Sequence, residues 1–160
     1  MIPSWSFAHI LILQGGHYRA TSSLMHLSSF ARPALSTLPD SVTWEDCGVC
    51  FCHGSPWAPK DGYVYPDTPL DQFKDVAASI FCLGNTHYPM HRRVGEKIII
   101  NPGSLGQPRH GGWPSYAVFD LPSGNVVFRE VRYNKALLYC QMEEAMETNL
   151  YLKEVLCRSK

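Results

Sequence analysis

The chain has 160 residues, 45% of them hydrophobic, and its 14 Lys plus Arg balance 14 Asp plus Glu. That length and composition fit a single globular domain, residues 1 to 160, able to bury a core of its own. Zero net charge gives no broad field to recruit nucleic acid or an anionic membrane, and no nucleic-acid specificity is readable. The longest early apolar run, Ala8 to Leu13, is interrupted by His9, is too short to span a bilayer and follows no basic segment, so the expected setting is cytoplasmic, with no membrane partner. Six unevenly spaced cysteines read as reduced thiols and not as a disulfide framework.

In chain order, Phe7 to Leu13 reads as a buried strand that ends at Gln14-Gly15-Gly16-His17. Leu24, Leu27, Ser28, Ala31, Leu35 and Leu38 recur at helical spacing, with Pro33 breaking that helix or a second one opening near Arg32. Val42 to Trp44 and Gly48 to Cys52 predict two strands around a turn at Glu45-Asp46, the second delivering His53. Ser55 to Tyr65, rich in Pro, Gly, Trp and Tyr, is a loop long enough to be functional. Thr68-Pro69-Leu70-Asp71 predicts a helix start with Thr68 as N-cap, and Leu70, Phe73, Ala77 and Ile80 form its apolar stripe.

Strands at Ser79 to Leu83 and Lys97 to Ile100 follow, separated by the loop Gly84 to Met90 and a turn at His91 to Gly95, where His91-Arg92-Arg93 is solvated. Tyr116 to Asp120 and Val126 to Val131 flank Leu121-Pro122-Ser123-Gly124-Asn125, a hairpin signal. From Lys135 onward, Leu138, Met142, Met146 and Leu150 repeat every four residues opposite Glu143, Glu144 and Glu147, which predicts a closing amphipathic helix.

The chemistry concentrates between residues 81 and 112, where two short apolar runs drop abruptly into loops of Gly, Asn, Pro, Ser and His. Buried strands deliver polar groups to the edge of an open α/β sheet in this way. Gly84-Asn85-Thr86-His87 with Pro89 resembles the Gly-His-Thr-His-x-Pro motif of the calcineurin-like metallophosphoesterases. Asn101-Pro102-Gly103-Ser104-Leu105-Gly106-Gln107-Pro108-Arg109 resembles the Asn-Pro-Gly-Ser loop of their small bacterial and archaeal phosphodiesterase branch, and His53-Gly54-Ser55-Pro56 is similar to its His-Gly-Ser element. All three stand in the family's order.

The resemblance implies an α/β fold, a sandwich of two mixed β-sheets flanked by helices, here lacking its N-terminal βαβ units. It implies a small phosphoester substrate hydrolysed by a metal-activated hydroxide, with two divalent ions about 3.5–4 Å apart clamping the attacking and leaving oxygens. Manganese is the first expectation, with nickel, zinc or iron as alternatives. Carried over residue by residue, it assigns His53 and Asn85 to one ion and His87 to its neighbour. Asn85 stands where the family has His; its neutral amide is the poorer donor to soft metals, so one ion is held less tightly or differs in identity. Asn101 and Ser104 read two ways, as shapers of a tight loop in which Gly103 takes a positive φ, or, with the loop amides, as contacts to a substrate phosphate.

Cys47, Cys50 and Cys52 read as small apolar residues near a buried strand, since no second pair completes a zinc set. Trp57, Tyr63, Tyr65 and Trp113 either anchor loops or stack a nucleobase. The family's Asp-x-His and Gly-Asp-x-x-Asp motifs do not occur in this sequence, and Gly15-Gly16-His17-Tyr18 is the remnant of its Gly-Asn-His-Asp. His17 is thereby the candidate to protonate the leaving group. The expectation is the C-terminal part of a phosphoesterase, N-terminally truncated and inactive alone, with an uncovered sheet edge that favours self-association. The alternative is a metal-poor relative serving as a protein-binding scaffold, as the vacuolar sorting subunit of retromer does within the same superfamily.

Overall fold

The computed structural model describes residues 28, 31, 33, 37–145 and 150–157. The expected strand at Ala8 to Leu13, candidate His17 and most of the Leu24 to Leu38 helix lie outside the described residues. Among those described, five strands form one sheet in the order β1-β2-β3-β5-β4: β1 Ser41–Trp44, β2 Val49–Cys52, β3 Ile80–Cys82, β4 Pro89–Val94 and β5 Lys97–Pro102. β2, β3 and β5 run parallel, in the register Val49 to Ile80 to Ile98, while β1 and β4 are antiparallel flanks.

Parallel strands buried on both faces need continuous apolar sequence rather than alternation, and Val-Cys-Phe-Cys, Ile-Phe-Cys and Ile-Ile-Ile supply it. Cys50, Phe81 and Ile99 share one face and pack into the core with Val64, Leu70, Phe73, Leu83 and Met90. Val49, Ile98 and Ile100, at the intervening positions, are buried as well.

A second sheet is the hairpin β6 Ser115–Asp120 with β7 Asn125–Glu130. Its connection is closed by Gly124 N–H donating to Asp120 O at 2.8 Å, with Gly124 at φ 69°. Two helices follow, α1 Lys135–Glu144, capped by Asn134 Oδ1 accepting from Leu137 N at 3.0 Å, and α2 Leu150–Cys157. The mixed α/β architecture with two sheets is the one the motifs implied. No helix among the described residues is long and apolar enough to cross a membrane.

Three local expectations are corrected. The helix after Thr68 is a 3-10 segment, Asp71–Asp75. Thr68 Oγ1 accepts from Tyr65 N–H at 2.8 Å behind it, so it does not cap forward, and Val76 is already extended at φ −87°, ψ 135°. Lys97 Nζ then donates to Val76 O and Ala78 O, holding the chain extended into β3.

His91 to Val94 is not a turn but the outer part of β4, paired residue by residue with β5 around Gly95 at φ 55°. His91 and Arg93 face outward, as charges on an edge strand do, while Arg92 Nη1 donates to Thr68 O at 2.6 Å. The closing helix divides into α1 and α2; α1 buries no residue, and Leu150 is 78% exposed, so the four-residue stripe does not make one packed face.

Candidate metal centre

The carboxyl ends of the three parallel strands converge. β2 runs into His53, β3 into Gly84 to His87, and β5 ends in Asn101-Pro102. Gly84 N–H donates to His53 O at 2.9 Å, which zips the first two loops together. Asn85 Nδ2 donates to Gly62 O at 2.9 Å and so clamps the loop that follows His53 against the β3 loop. The 54–62 loop is compact enough that a Cβ on Gly62 would lie 2.3 Å from Ser55 Oγ.

Asn101 organises the third side. Fully buried, its Nδ2 donates to Gly84 O at 2.7 Å and Thr86 Oγ1 at 3.0 Å, while its Oδ1 accepts from Gly103 N–H at 3.0 Å. Gly103 sits at φ 86°, and a Cβ there would meet Ser115 Oγ at 2.2 Å, the hydroxyl that donates to Pro102 O. Ser104 Oγ accepts from Gln107 N–H at 2.9 Å, closing the loop's second half. In this arrangement the polar groups of Asn101 are engaged with the loop, and Ser104 is half-buried at its tip.

Asn85 and His87 are held in left-handed backbone, φ 59° and 61°, on either side of buried Thr86. Asn tolerates that region well, which is a structural reason for an amide at position 85; the same conformation at His87 is the kind of strain that clusters at functional sites. His87 Nδ1 lies 2.9 Å from Gln107 O. A carbonyl can only accept, so Nδ1 carries the proton and Nε2 presents the lone pair. Burial pushes the His87 pKa down, the Arg109 guanidinium pushes it further, the hydrogen bond to Gln107 O opposes them, and proximity to His53 adds a smaller lowering.

His53 is also depressed by burial, against the opposing pull of Asp61 and of its side-chain hydrogen bond to Asn85. Its Nδ1 is buried without a hydrogen-bond partner. Both rings are therefore neutral near pH 7, each with a lone pair that no described protein group engages.

His53, Asn85 and His87 thus share one neighbourhood, linked by hydrogen bonds and mutual electrostatics. The two imidazoles suit a divalent transition ion. A bridging carboxylate set is another matter: among the described residues no group of three or more His, Cys, Asp or Glu gathers as a metal cage. Two further charged residues belong to the neighbourhood, Asp61 beside His53 and Arg109 beside His87. Arg109 follows the Asn-Pro-Gly-Ser loop directly, its N–H donating to His87 O at 3.5 Å and its Nε buried without a partner. Its place at the end of that loop was the available sequence signal.

Comparison with known proteins identifies the family. The sequence model of the calcineurin-like phosphoesterase superfamily domain matches residues 20–124. The chain belongs to that superfamily. It is similar to the crystal structure of a metallophosphoesterase from Sphaerobacter thermophilus, with a TM-score of 0.77 and 25% identity, covering 94% of this chain and 74% of that one. A hypothetical protein from Pyrococcus horikoshii shares the fold at a TM-score of 0.67 and 18% identity, over 92% of this chain and 69% of that one. An uncharacterized protein of Methanocaldococcus jannaschii is 29% identical over 103 residues, 54% of this chain; the match spans 42% of that protein's length.

Proposed function

We propose that this chain carries histidine ligands of a metal-dependent phosphoesterase that acts on a small phosphoester. The observation behind the proposal is the pair His53, buried, and His87, half-buried, both neutral and each with a free lone pair, at the carboxyl ends of neighbouring parallel strands. A divalent ion bound there, manganese by preference, supplies an activated hydroxide and offsets phosphate charge. His53 would hold it through Nδ1 and His87 through Nε2, with Asn85 orienting His53 and Gln107 O fixing the tautomer of His87. Arg109 adds a fixed positive charge for the phosphoryl group, Ser104 and the neighbouring loop amides bind its oxygens, and His17 is the candidate proton donor to the leaving oxygen. The setting in this reading is the cytoplasm, where the free cysteines remain reduced.

Calorimetric titration with manganese tests it. The chain should bind manganese weakly, and His53→Ala and His87→Ala should each weaken binding about tenfold or more. Binding indifferent to both substitutions would overturn the assignment. Hydrolysis of bis-p-nitrophenyl phosphate by the 160-residue chain should stay near background, because neutral ligands do not offset the mutual repulsion of two ions.

One observation favours the scaffold reading instead. The Asn85 amide is engaged on both sides, by Gly62 O and by His53, in a backbone conformation that suits Asn. If Asn85→His raises manganese affinity, position 85 is a lapsed ligand position and this chain a degenerate relative.

A further inference from the structure

An aromatic rim borders the histidine cluster and has no part in the chemistry above. Val64 is 2% exposed, while its neighbours Tyr63 and Tyr65 are 55% and 37% exposed. The chain thus turns Val64 inward and the two flanking phenol rings outward. They lie parallel, 10° apart in plane with centroids 5.9 Å apart, and Tyr88 meets Tyr65 edge-on at 5.9 Å. Trp57 behaves differently: it packs on buried Phe73 at 4.9 Å and anchors its loop.

The rim is fixed to the cluster at both ends. Tyr63 directly follows Gly62, whose carbonyl holds Asn85, and Tyr88 directly follows His87. Between them, Thr68 Oγ1 holds Tyr65 N–H at 2.8 Å. Exposed Tyr63 and Tyr65, with half-buried Tyr88 set against them beside a polar site, have the form of a stacking surface.

We propose that Tyr63 and Tyr65, continued by Tyr88, receive a planar aromatic ring carried on the alcohol side of the phosphoester. The proposal rests on the phosphoesterase reading and narrows its substrate class. A ring stacked there would lie beside the cluster while its phosphate reaches the histidines and Arg109. Both a nucleobase and a simple aryl group have this chemistry, and the probes below separate them.

The manganese-supplemented chain is titrated with adenosine 5′-monophosphate, phenyl phosphate and ribose 5-phosphate. Adenosine 5′-monophosphate should bind about tenfold more tightly than ribose 5-phosphate, within the range of one stacked base. Tyr63→Ala and Tyr65→Ala should remove that advantage and leave ribose 5-phosphate unaffected, whereas Tyr65→Phe, which keeps the ring, should retain it. Phenyl phosphate matching the nucleotide assigns the rim to any aryl group; phenyl phosphate no better than ribose 5-phosphate assigns it to nucleobases. Equal affinity for nucleotide and ribose 5-phosphate, or an advantage that survives both Ala variants, overturns the stacking proposal. Ribose 5-phosphate binding that is still lost in His87→Ala would then leave the phosphoesterase reading standing. If none of the probes binds, both readings fall together.

Discussion

At the carboxyl edge of the five-stranded sheet, Phe81, Thr86 and Asn101 have no exposed surface, and loops up to 23 residues apart in sequence are joined through the side chains of Asn85 and Asn101. In the β6–β7 hairpin the cross-strand pair Val118 and Val127 stays 53% and 44% exposed, and the two strands are joined by a short turn. Both regions are extended chain. They differ in whether neighbours cover both faces and in whether polar groups reach across to other loops. Where they do, a single side chain supports several loops at once, and substitutions there should cost most.

The largest expected effect is therefore Asn101→Ala. It leaves Gly103 N–H without its acceptor and takes from buried Gly84 O one of two donors, Thr86 N–H at 2.7 Å remaining, a combined loss on the scale of about 1–3 kcal/mol. Chemical denaturation should show a destabilisation of about 3 kcal/mol with an unchanged m-value. A loss below about 1 kcal/mol would mean that backbone contacts alone hold the three loops, and the contrast with the hairpin would collapse.

A smaller effect should come with acid. Burial lowers the pKa of His53 and His87 from the ordinary 6.5, so the unfolded chain takes up protons that the folded chain refuses. The stability they contribute is complete above pH 6.5 and is lost as pH falls through their depressed folded values. In the presence of a chelator, the thermal midpoint should fall between neutral pH and pH about 5. His53→Gln with His87→Gln should flatten that slope, and Val118→Thr should not. A profile unchanged by the paired Gln substitutions would show that other groups dominate the acid response.

These differences also explain what could be read from sequence. The parallel strands were legible because a strand buried on both faces has to be apolar throughout, and Ile98-Ile99-Ile100 leaves little choice. The positions of His53, Asn85 and His87 followed, since each sits at or just beyond a strand end. β4 was misread as a turn because an edge strand carries charges, and His91-Arg92-Arg93 in isolation is equally polar in either state. Thr68 was misread because its N-cap signal is local, while the bond that decides its role, from Tyr65 N–H, belongs to a loop. Asp61 and Arg109 were not assigned to the site because only the folded loops bring one beside His53 and the other beside His87.

The smallest effect should come from the hairpin's open face. Tyr116, Val118, Val127 and Arg129 alternate with the half-buried Ala117, Phe119, Val126 and Phe128, so one face packs and the other does not. Val118→Thr and Val127→Thr keep β-branching and shape at positions where little apolar area is buried, and each should change stability by no more than about 0.5 kcal/mol. Val126→Thr, on the covered face, should cost more. An exposed valine pair on a two-stranded sheet also offers a second copy of the chain an apolar surface, a different route from the uncovered sheet edge expected from sequence. Sedimentation across a concentration series should then show the double Thr variant shifted toward monomer while its unfolding midpoint stays where it was. If Val118→Thr instead cost as much as Val126→Thr, the open face would be covered in solution, and the contrast between sheet and hairpin would be one of degree.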